Sequence, residues 1–356
     1  AGRTIHHPAM AAALNAYGYS LEENGERDRG LAYKQASLAI WRNLNQSTTS
    51  AESGCYGDHP ELASQLDHVG CATRGVGQRA EGLRLRTEAL NMRRRLYGNA
   101  DHRLLAYSLN AVGRAMLDDA LRPEGCDPRR PMSSPPLATA DDTPCISTMH
   151  AGSLRAAGAW PLTSVQNAQE LLEKALEMRG RIYLSLDHVD MASSLNDVGR
   201  ADIELGLRLS SRGFGDETGT NVNDARLECR RGAQRLLDGF DMRKRLYAGD
   251  HRHVAVSLRT MGEALAKLAT AGITDADVTN KMSLIVCPNG DPDADQLRVA
   301  LNLQVQGLEM TKRLHQTDLV DLAASFSSLS DSFASAGWQN EAEDMQRTVH
   351  SLRDLR

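Results

Sequence analysis

The stretch NMRRRLYGNADH, residues 91–102, returns in close paraphrase as EMRGRIYLSLDH at 177–188 and DMRKRLYAGDH at 241–251. Taken singly, it is a basic patch beside a candidate metal ligand. A chemical site is normally built once, whereas a phrase that returns with its spacing intact belongs to a structural unit stacked several times. Aligning the chain on the closing His extends the pattern. His7, His59, His102, His188 and His251 are each followed four residues on by Ala (Ala11, Ala63, Ala106, Ala192, Ala255) and seven on by Leu (Leu14, Leu66, Leu109, Leu195, Leu258). Eleven on comes Gly: Gly18, Gly70, Gly113, Gly199, Gly262. A sixth, degenerate copy has Leu319, Ala323, Phe326 and Ser330 in these places. Spacings of four, three and four put the residues on one stripe of an α-helix, helix A, whose packing face ends in a residue without a side chain.

A second helix, B, follows in each unit. Small residues stand at Gly30, Gly82, Ala168, Gly232, Ala300 and Ala342, and seven further on at Ser37, Ala89, Ala175, Gly239 and Gly307, with Val349 as the exception. Gly in place of Ala costs about 1 kcal/mol in a helix interior, so glycines at fixed places predict backbones in close approach. The repeats are 4–44, 59–98, 102–183, 188–247, 251–315 and a degenerate 319–353. Three contain inserts at the A-to-B turn, at 122–165, 208–224 and 270–295.

Composition agrees with an all-α chain. Aromatic residues are only 4% of the 356 residues, which disfavours a β-sandwich. With 41 Lys+Arg against 46 Asp+Glu the formal charge is -5, so no global basic field points to nucleic acid or an anionic membrane. No apolar run approaches the roughly 20 residues that cross a bilayer.

These features resemble the tetratricopeptide repeat (TPR), in particular the longer form found in kinesin light chains. The matching text is ALNMRRRLYGNADHRLLAYSLNAVGRAML (89–117), ALEMRGRIYLSLDHVDMASSLNDVGRADIELG (175–206) and DMRKRLYAGDHRHVAVSLRTMGEAL (241–265). The resemblance implies an all-α solenoid, a right-handed superhelix of six helix pairs with A helices lining a concave groove. The recurring Asp-His then starts helix A, and Pro after the first two histidines occupies the first helical position. The recurring Met-Arg-x-Arg ends helix B, where cations meet the negative end of the helix dipole. No paired ligand spacing supports a metal at these histidines.

Other chemistry is absent from the text. GVGQRA (75–80) fits a loose dinucleotide pattern but follows a helix and falls at an A-to-B turn. DPDAD (291–295) lacks the Gly and the closing Glu of a calcium loop. No HExxH, CxxC, Walker-type or GxSxG pattern occurs, so neither an enzyme nor a cofactor is expected.

Binding is the better expectation. The groove positions after the anchor Leu are Asn15, Asp67, Asn110, Asn196, Arg259 and Ser327, and four further on Tyr19, Cys71, Arg114, Arg200, Glu263 and Asp331. The resemblance implies that Asn and basic residues there hold peptide backbone or a carboxylate. Asn110, Arg114, Asn196, Arg200 and Arg259 are therefore the candidate floor for an acidic segment. The middle units lack the regular Asn of the light chains, so recognition of light-chain cargo is not carried over.

The six Cys suggest disulfides. Cys126 and Cys145 bracket one insert, Cys229 and Cys287 lie on one edge, and Cys55 with Cys71 makes a third pair, with free thiols as the alternative. Asn45 of NQS (45–47), read as loop, is a glycosylation candidate, and an Ala start is consistent with a removed signal peptide. These features favour a secreted protein over a cytoplasmic adaptor. Without an evident polar capping helix at either end, terminal repeats are expected to cap each other. Two functions follow: a self-assembling subunit, head-to-tail oligomer or filament, with inserts ordered by disulfides or neighbouring copies; or an adaptor holding an acidic peptide in the groove. In both, the partner is protein.

Overall fold

The computed structural model describes residues 7–46, 57–121, 162–184, 186–212, 220–286, 295–314, 319–335 and 337–354. Its regular elements among these residues are all α-helices: α1 (Pro8–Glu23), α2 (Arg27–Gln46), α3 (Pro60–Gly75), α4 (Arg79–Tyr97), α5 (Arg103–Ala120), α6 (Leu162–Tyr183), α7 (Val189–Arg212), α8 (Thr220–Leu246), α9 (Arg252–Thr270), α10 (Ala276–Val286), α11 (Gln296–Leu314), α12 (Leu319–Ser335) and α13 (Gln339–Asp354). The chain divides into two compact units. One comprises Ala1–Asp142 with Glu170–Ile182, the other Thr143–Gln169 with Tyr183–Arg356. In the first, α1 pairs with α2 and α3 with α4, while α3 packs on α2 and α5 on α4. In the second, α7 pairs with α8, α9 with α11 and α12 with α13, while α9 packs on α8 and α12 on α11. Helical hairpins stacked in chain order are the all-α solenoid arrangement of TPR-like repeats.

The missing side chains lie where the helices cross. A Cβ added at Gly18 would stand 2.8 Å from the Gly30 carbonyl oxygen, and one at Gly30 2.7 Å from that of Gly18. Gly70 with Gly82 and Gly199 with Gly232 repeat the arrangement, and a Cβ at Gly262 would meet the Ala300 oxygen at 2.5 Å. Around these crossings lie apolar layers. In the first unit Leu31 and Leu38 of α2 pack with Leu62, Leu66 and Val69 of α3. In the second, Leu236 and Phe240 of α8 pack with Val254, Leu258 and Met261 of α9. A fully buried Leu of this kind contributes about 1.5–3 kcal/mol.

The opening motif is a joint with four working parts. Each His is an N-cap: Nδ1 of His7, His59, His102, His188 and His251 accepts the N–H two residues on, at 3.1–3.2 Å. Tyr97, Tyr183 and Tyr247, at the ends of α4, α6 and α8, stack on His102, His188 and His251 with ring centroids 3.6–3.7 Å apart. The second Arg of the motif reaches back to the Asp before its own repeat's His. Arg95 chelates Asp58, Arg181 Asp101, Arg245 Asp187, and Arg313 Asp250. These arginines hold the Asp101, Asp187 and Asp250 carboxyls below their ordinary range.

The first Arg departs from the expectation of a cation placed at the helix dipole. Arg93 is buried and donates to the Leu104 carbonyl, Ser108 Oγ and Ser64 Oγ, joining three helices. Arg243 does the same with the His253 carbonyl, Ser257 Oγ and Ser193 Oγ. Arg179 is buried at the equivalent place. A guanidinium, with five donors in a fixed plane, can serve several acceptors at such a junction.

Some expectations about the inserts change. The stretch 270–295 is not all turn, because α10 forms within it. Asp275 Oδ1 caps α10 by accepting the Val278 N–H at 3.1 Å, and Val278 and Met282, four apart, are buried against the unit. The flanks of 208–224 are helical too, as α7 runs to Arg212 and α8 starts at Thr220. Most of 122–165 lies outside the described residues. GVGQRA spans the α3–α4 turn, with Gly77 at φ +90.

Two predictions follow from this packing. Gly262→Ala drives a Cβ into backbone and will lower unfolding free energy in urea by about 1–3 kcal/mol, whereas Gly180→Ala, in α6 with open space around its Cβ position, will raise it by about 0.5–1 kcal/mol. His102 titrates below its ordinary value because burial, then Arg93 and Arg103, disfavour the imidazolium. A depressed folded-state pKa means that the stabilisation is present above the unfolded value of about 6.5 and fades as pH falls through the folded one. Urea midpoints measured from about pH 7 down to about pH 5 will fall less steeply in His102→Asn, which caps without titrating.

Candidate functional site

Three residues per A helix share a face, at spacings of three and four. In the first unit these are Ala12, Asn15 and Tyr19 on α1; Ser64, Asp67 and Cys71 on α3; and Tyr107, Asn110 and Arg114 on α5. Tyr19 is 40% exposed, Tyr107 is 43% exposed, and Cys71 and Arg114 are also exposed, while Asp67 and Asn110 are buried beneath them. Lys34 Nζ lies 3.5 Å from the Tyr19 ring centroid, and the Tyr19 ring meets His68 edge-on at 5.4 Å. The Arg93 guanidinium lies 5.9 Å from the Tyr107 ring centroid.

The electrostatics of this face are set from below. Asp67 is almost fully buried and its oxygens accept no hydrogen bond; the Arg86 Nε, at 3.7 Å, is an ionic neighbour only. Burial lowers the pKa of Arg93, with Asp67 the main opposing influence. Crowding raises the Tyr19 hydroxyl, helped by Tyr107, and pushes the Tyr107 hydroxyl up to about 12, helped by Asp67. Both phenols therefore stay protonated near neutral pH. Burial lowers His68, which stays neutral. Around these two rings the carboxylates Asp67 and Glu22 stand against Lys34, Arg86, Arg93 and Arg114, so the face is locally cationic although the whole chain is acidic.

In the second unit Asn196 is buried and Arg200 partly exposed. Arg259 Nε lies 3.7 Å from Glu263, and Asp331 is raised by crowding and by Glu263. Acidic residues thus offset the cation there. The five candidate groove residues consequently fall into two sets, Asn110 and Arg114 in one unit and Asn196, Arg200 and Arg259 in the other. Tyr107 was not among the expected residues; its signal in the sequence was a position three before Asn110, one turn away on the same face.

The structure bears on the cysteine and glycan expectations at Cys71, Cys229 and Asn45. Cys71 and Cys229 carry free thiols, the alternative to the expected pairs. Cys229 is buried inside α8, and burial pushes its thiol up to about 12. Cys55, Cys126, Cys145 and Cys287 lie outside the described residues. Asn45 is not in a loop: α2 continues through Gln46, and Asn45 occupies the position that Tyr97 holds in α4. It is 7% exposed and its Nδ2 donates to the Gly57 carbonyl at 3.2 Å, so the atom that would carry a sugar is engaged. Among the described residues no group of three His, Cys, Asp or Glu could hold a metal, and no helix is long and apolar enough to cross a membrane. A cavity of about 410 Å³ opens between α2 and α4, away from the A-helix face, lined in part by Leu38, Arg42, Arg84 and Leu85.

No family model matches the chain, and no curated protein matches it. Solved structures are similar to it in fold. A Podosopora anserina putative kinesin light chain with nearly identical TPR-like repeats is 13% identical over 87% of this chain and 99% of that one, with TM-score 0.46. BtubC (BKLC) from P. vanneervenii is 14% identical over 92% and 91%, with TM-score 0.48. The apo form of RapI is 12% identical over 97% of both chains, with TM-score 0.45. The TPR-like class rests on this chain's own repeats and their hairpin packing.

Burial separates the two described thiols. Iodoacetamide applied to the native chain, followed by peptide mass mapping, will modify Cys71 and leave Cys229 unmodified until denaturant is added; early labelling of Cys229 would contradict its placement within α8.

Proposed function

We propose that this protein is a non-enzymatic binding scaffold that holds an acidic peptide segment on the A-helix face of its first unit. The observation that carries this reading is the joint exposure of Tyr19, Tyr107 and Arg114 over a base with more guanidinium than carboxylate. Tyr and Arg are the residues that most often dominate binding energy, because they offer large rigid area and directed donors. Arg114, exposed on this face, offers a guanidinium of the kind that takes a carboxylate through two hydrogen bonds, and the protonated Tyr107 hydroxyl is a second donor.

Head-to-tail assembly is less well supported. In α2, α4 and α11 the positions facing the next A helix are Leu31 and Leu38, Leu83 and Leu90, and Leu301 and Leu308. In α13 the same positions are Glu343 and His350, both exposed. The α13 face thus lacks the apolar row that the corresponding positions of the other B helices bury.

The test is selection from a random peptide display library with the full chain as bait. Selected peptides will be rich in Asp and Glu, and Arg114→Glu will weaken them by at least about tenfold, or about 1.4 kcal/mol. Tyr107→Ala will weaken them as well. Selection of basic or apolar peptides indifferent to Arg114→Glu would overturn the reading.

A further inference from the structure

The A-helix face of the first unit carries a thiol at its centre. Tyr19, Cys71 and Arg114 hold the same position in three successive A helices, α1, α3 and α5, and Cys71 is exposed. Helix α3 touches both of the others. The Tyr19 ring meets His68 of α3 edge-on, and Arg74 of α3 donates to both carboxylate oxygens of Asp119 in α5 at 2.7 and 2.8 Å. The Cys71 sulfur lies within electrostatic reach of the Tyr19 and Tyr107 hydroxyls and helps to raise both.

An exposed cysteine alone defines no site, but here a second group points to a ligand. Asp67 stands one turn before Cys71 on the same face, and its side chain is 2% exposed. Neither of its carboxylate oxygens accepts a hydrogen bond, and the Arg86 Nε at 3.7 Å is too distant to donate one. Buried carboxylates ordinarily accept several, so Asp67 calls for an N–H donor. Tyr19 and Tyr107, which border it, are exposed enough for their rings to turn and admit one. The surrounding charges add a further selection. Lys34, Arg86, Arg93 and Arg114 outnumber Asp67 and Glu22, so an anionic molecule is drawn to the thiol and a cationic one repelled.

We propose that Cys71 is a site of reversible thiol–disulfide exchange with small peptide disulfides that carry carboxylates and N–H donors. The Cys71 thiol gives its proton to water, and the thiolate attacks one sulfur of the incoming disulfide. That S–S bond breaks, and the other half leaves as a thiolate that takes up a proton. The products are a mixed disulfide at Cys71 and one free small thiol, with no other oxidant consumed. In the adduct a carboxylate meets Arg114 and an N–H meets Asp67. The proposal rests on the acidic-peptide reading of this face and adds its regulation, because an adduct beside Tyr107 and Arg114 occupies the place of the acidic segment.

The full chain is equilibrated in turn with three thiols and their disulfides: glutathione, mercaptopropionate, which is anionic without an N–H, and cysteamine, which is cationic. Occupancy of Cys71 is read by fragment mass spectrometry against a synthetic peptide of Pro60–Gly75, whose only thiol is Cys71. Relative to that peptide, the exchange constant in the chain will be raised at least about tenfold for glutathione, less for mercaptopropionate, and lowered for cysteamine. Arg114→Glu, with unchanged circular dichroism, will remove the gain for both anionic thiols. Equal constants in chain and peptide would overturn the inference, as would an intrachain disulfide formed at Cys71 in place of the adduct. Equal constants for glutathione and mercaptopropionate would also overturn it, since Asp67 would then receive no donor. The glutathione adduct will weaken acidic-peptide binding at least about tenfold, and dithiothreitol will restore it; undiminished binding would refute the overlap. A reduced chain that binds no acidic peptide refutes the scaffold reading, whereas one that binds it but shows no preference for glutathione refutes this inference alone.

Discussion

Close contact between backbones at the A–B crossing sets the spacing on which the other features depend. At Gly18 with Gly30, Gly70 with Gly82 and Gly199 with Gly232 there is no room for even a methyl group. Each glycine weakens its own helix, and the loss is offset only if the two helices approach closely enough for the flanking Leu and Ala side chains to interdigitate. Hairpins so formed are narrow, and successive ones meet at a constant register. That regularity is why one short phrase can serve as the joint in repeat after repeat.

The joint itself divides its labour by residue. His fixes where the next A helix begins, Tyr seats that start against the helix before it, and the second Arg ties the linker Asp to its own repeat. The first Arg works inside the stack, at a point where three helices meet and carbonyl and hydroxyl acceptors converge. Burying a charge there is tolerated because the outer guanidinium nitrogens find carbonyl and hydroxyl acceptors and Asp67 or Asp197 supplies opposite charge nearby. The fully buried Asp202 follows the same rule with reversed sign, accepting from Gln169 and Arg235.

The hairpin fold was legible because its signal is periodic: the His, Ala, Leu and Gly of each A helix recur at spacings that only a helix satisfies. The joint was half legible. The recurrence of Arg93, Arg179 and Arg243 was plain, but an Arg near a helix end reads as solvated, and only the neighbouring Ser64 and Ser108 show that it turns inward. Asn45 was misread because its sequon suggested a loop, whereas its place in the repeat is that of Tyr97, which packs on the His102 that opens the following repeat. Helix α10 was hidden within an apparent insert, although Asp275, Val278 and Met282 have the spacing of a capped amphipathic turn. On the candidate site, Arg114 and Asn110 were found from the groove register. Tyr107 was missed because in the other repeats its position holds Ala, Ser or Val and shows no pattern.

Placing arginines rather than histidines beneath the A-helix face has a consequence for how the protein meets its surroundings. Guanidinium keeps its proton across any ordinary range of acidity, so the positive potential under Tyr107 does not titrate. It is, however, attenuated by dissolved ions, over about 8 Å at physiological ionic strength. The imidazole cap at His102, held below its ordinary value by burial, behaves oppositely, being indifferent to moderate salt and vulnerable to protons. Ionic strength and acidity thus act on separate properties of one molecule, the first on its attraction for anions and the second on the start of α5.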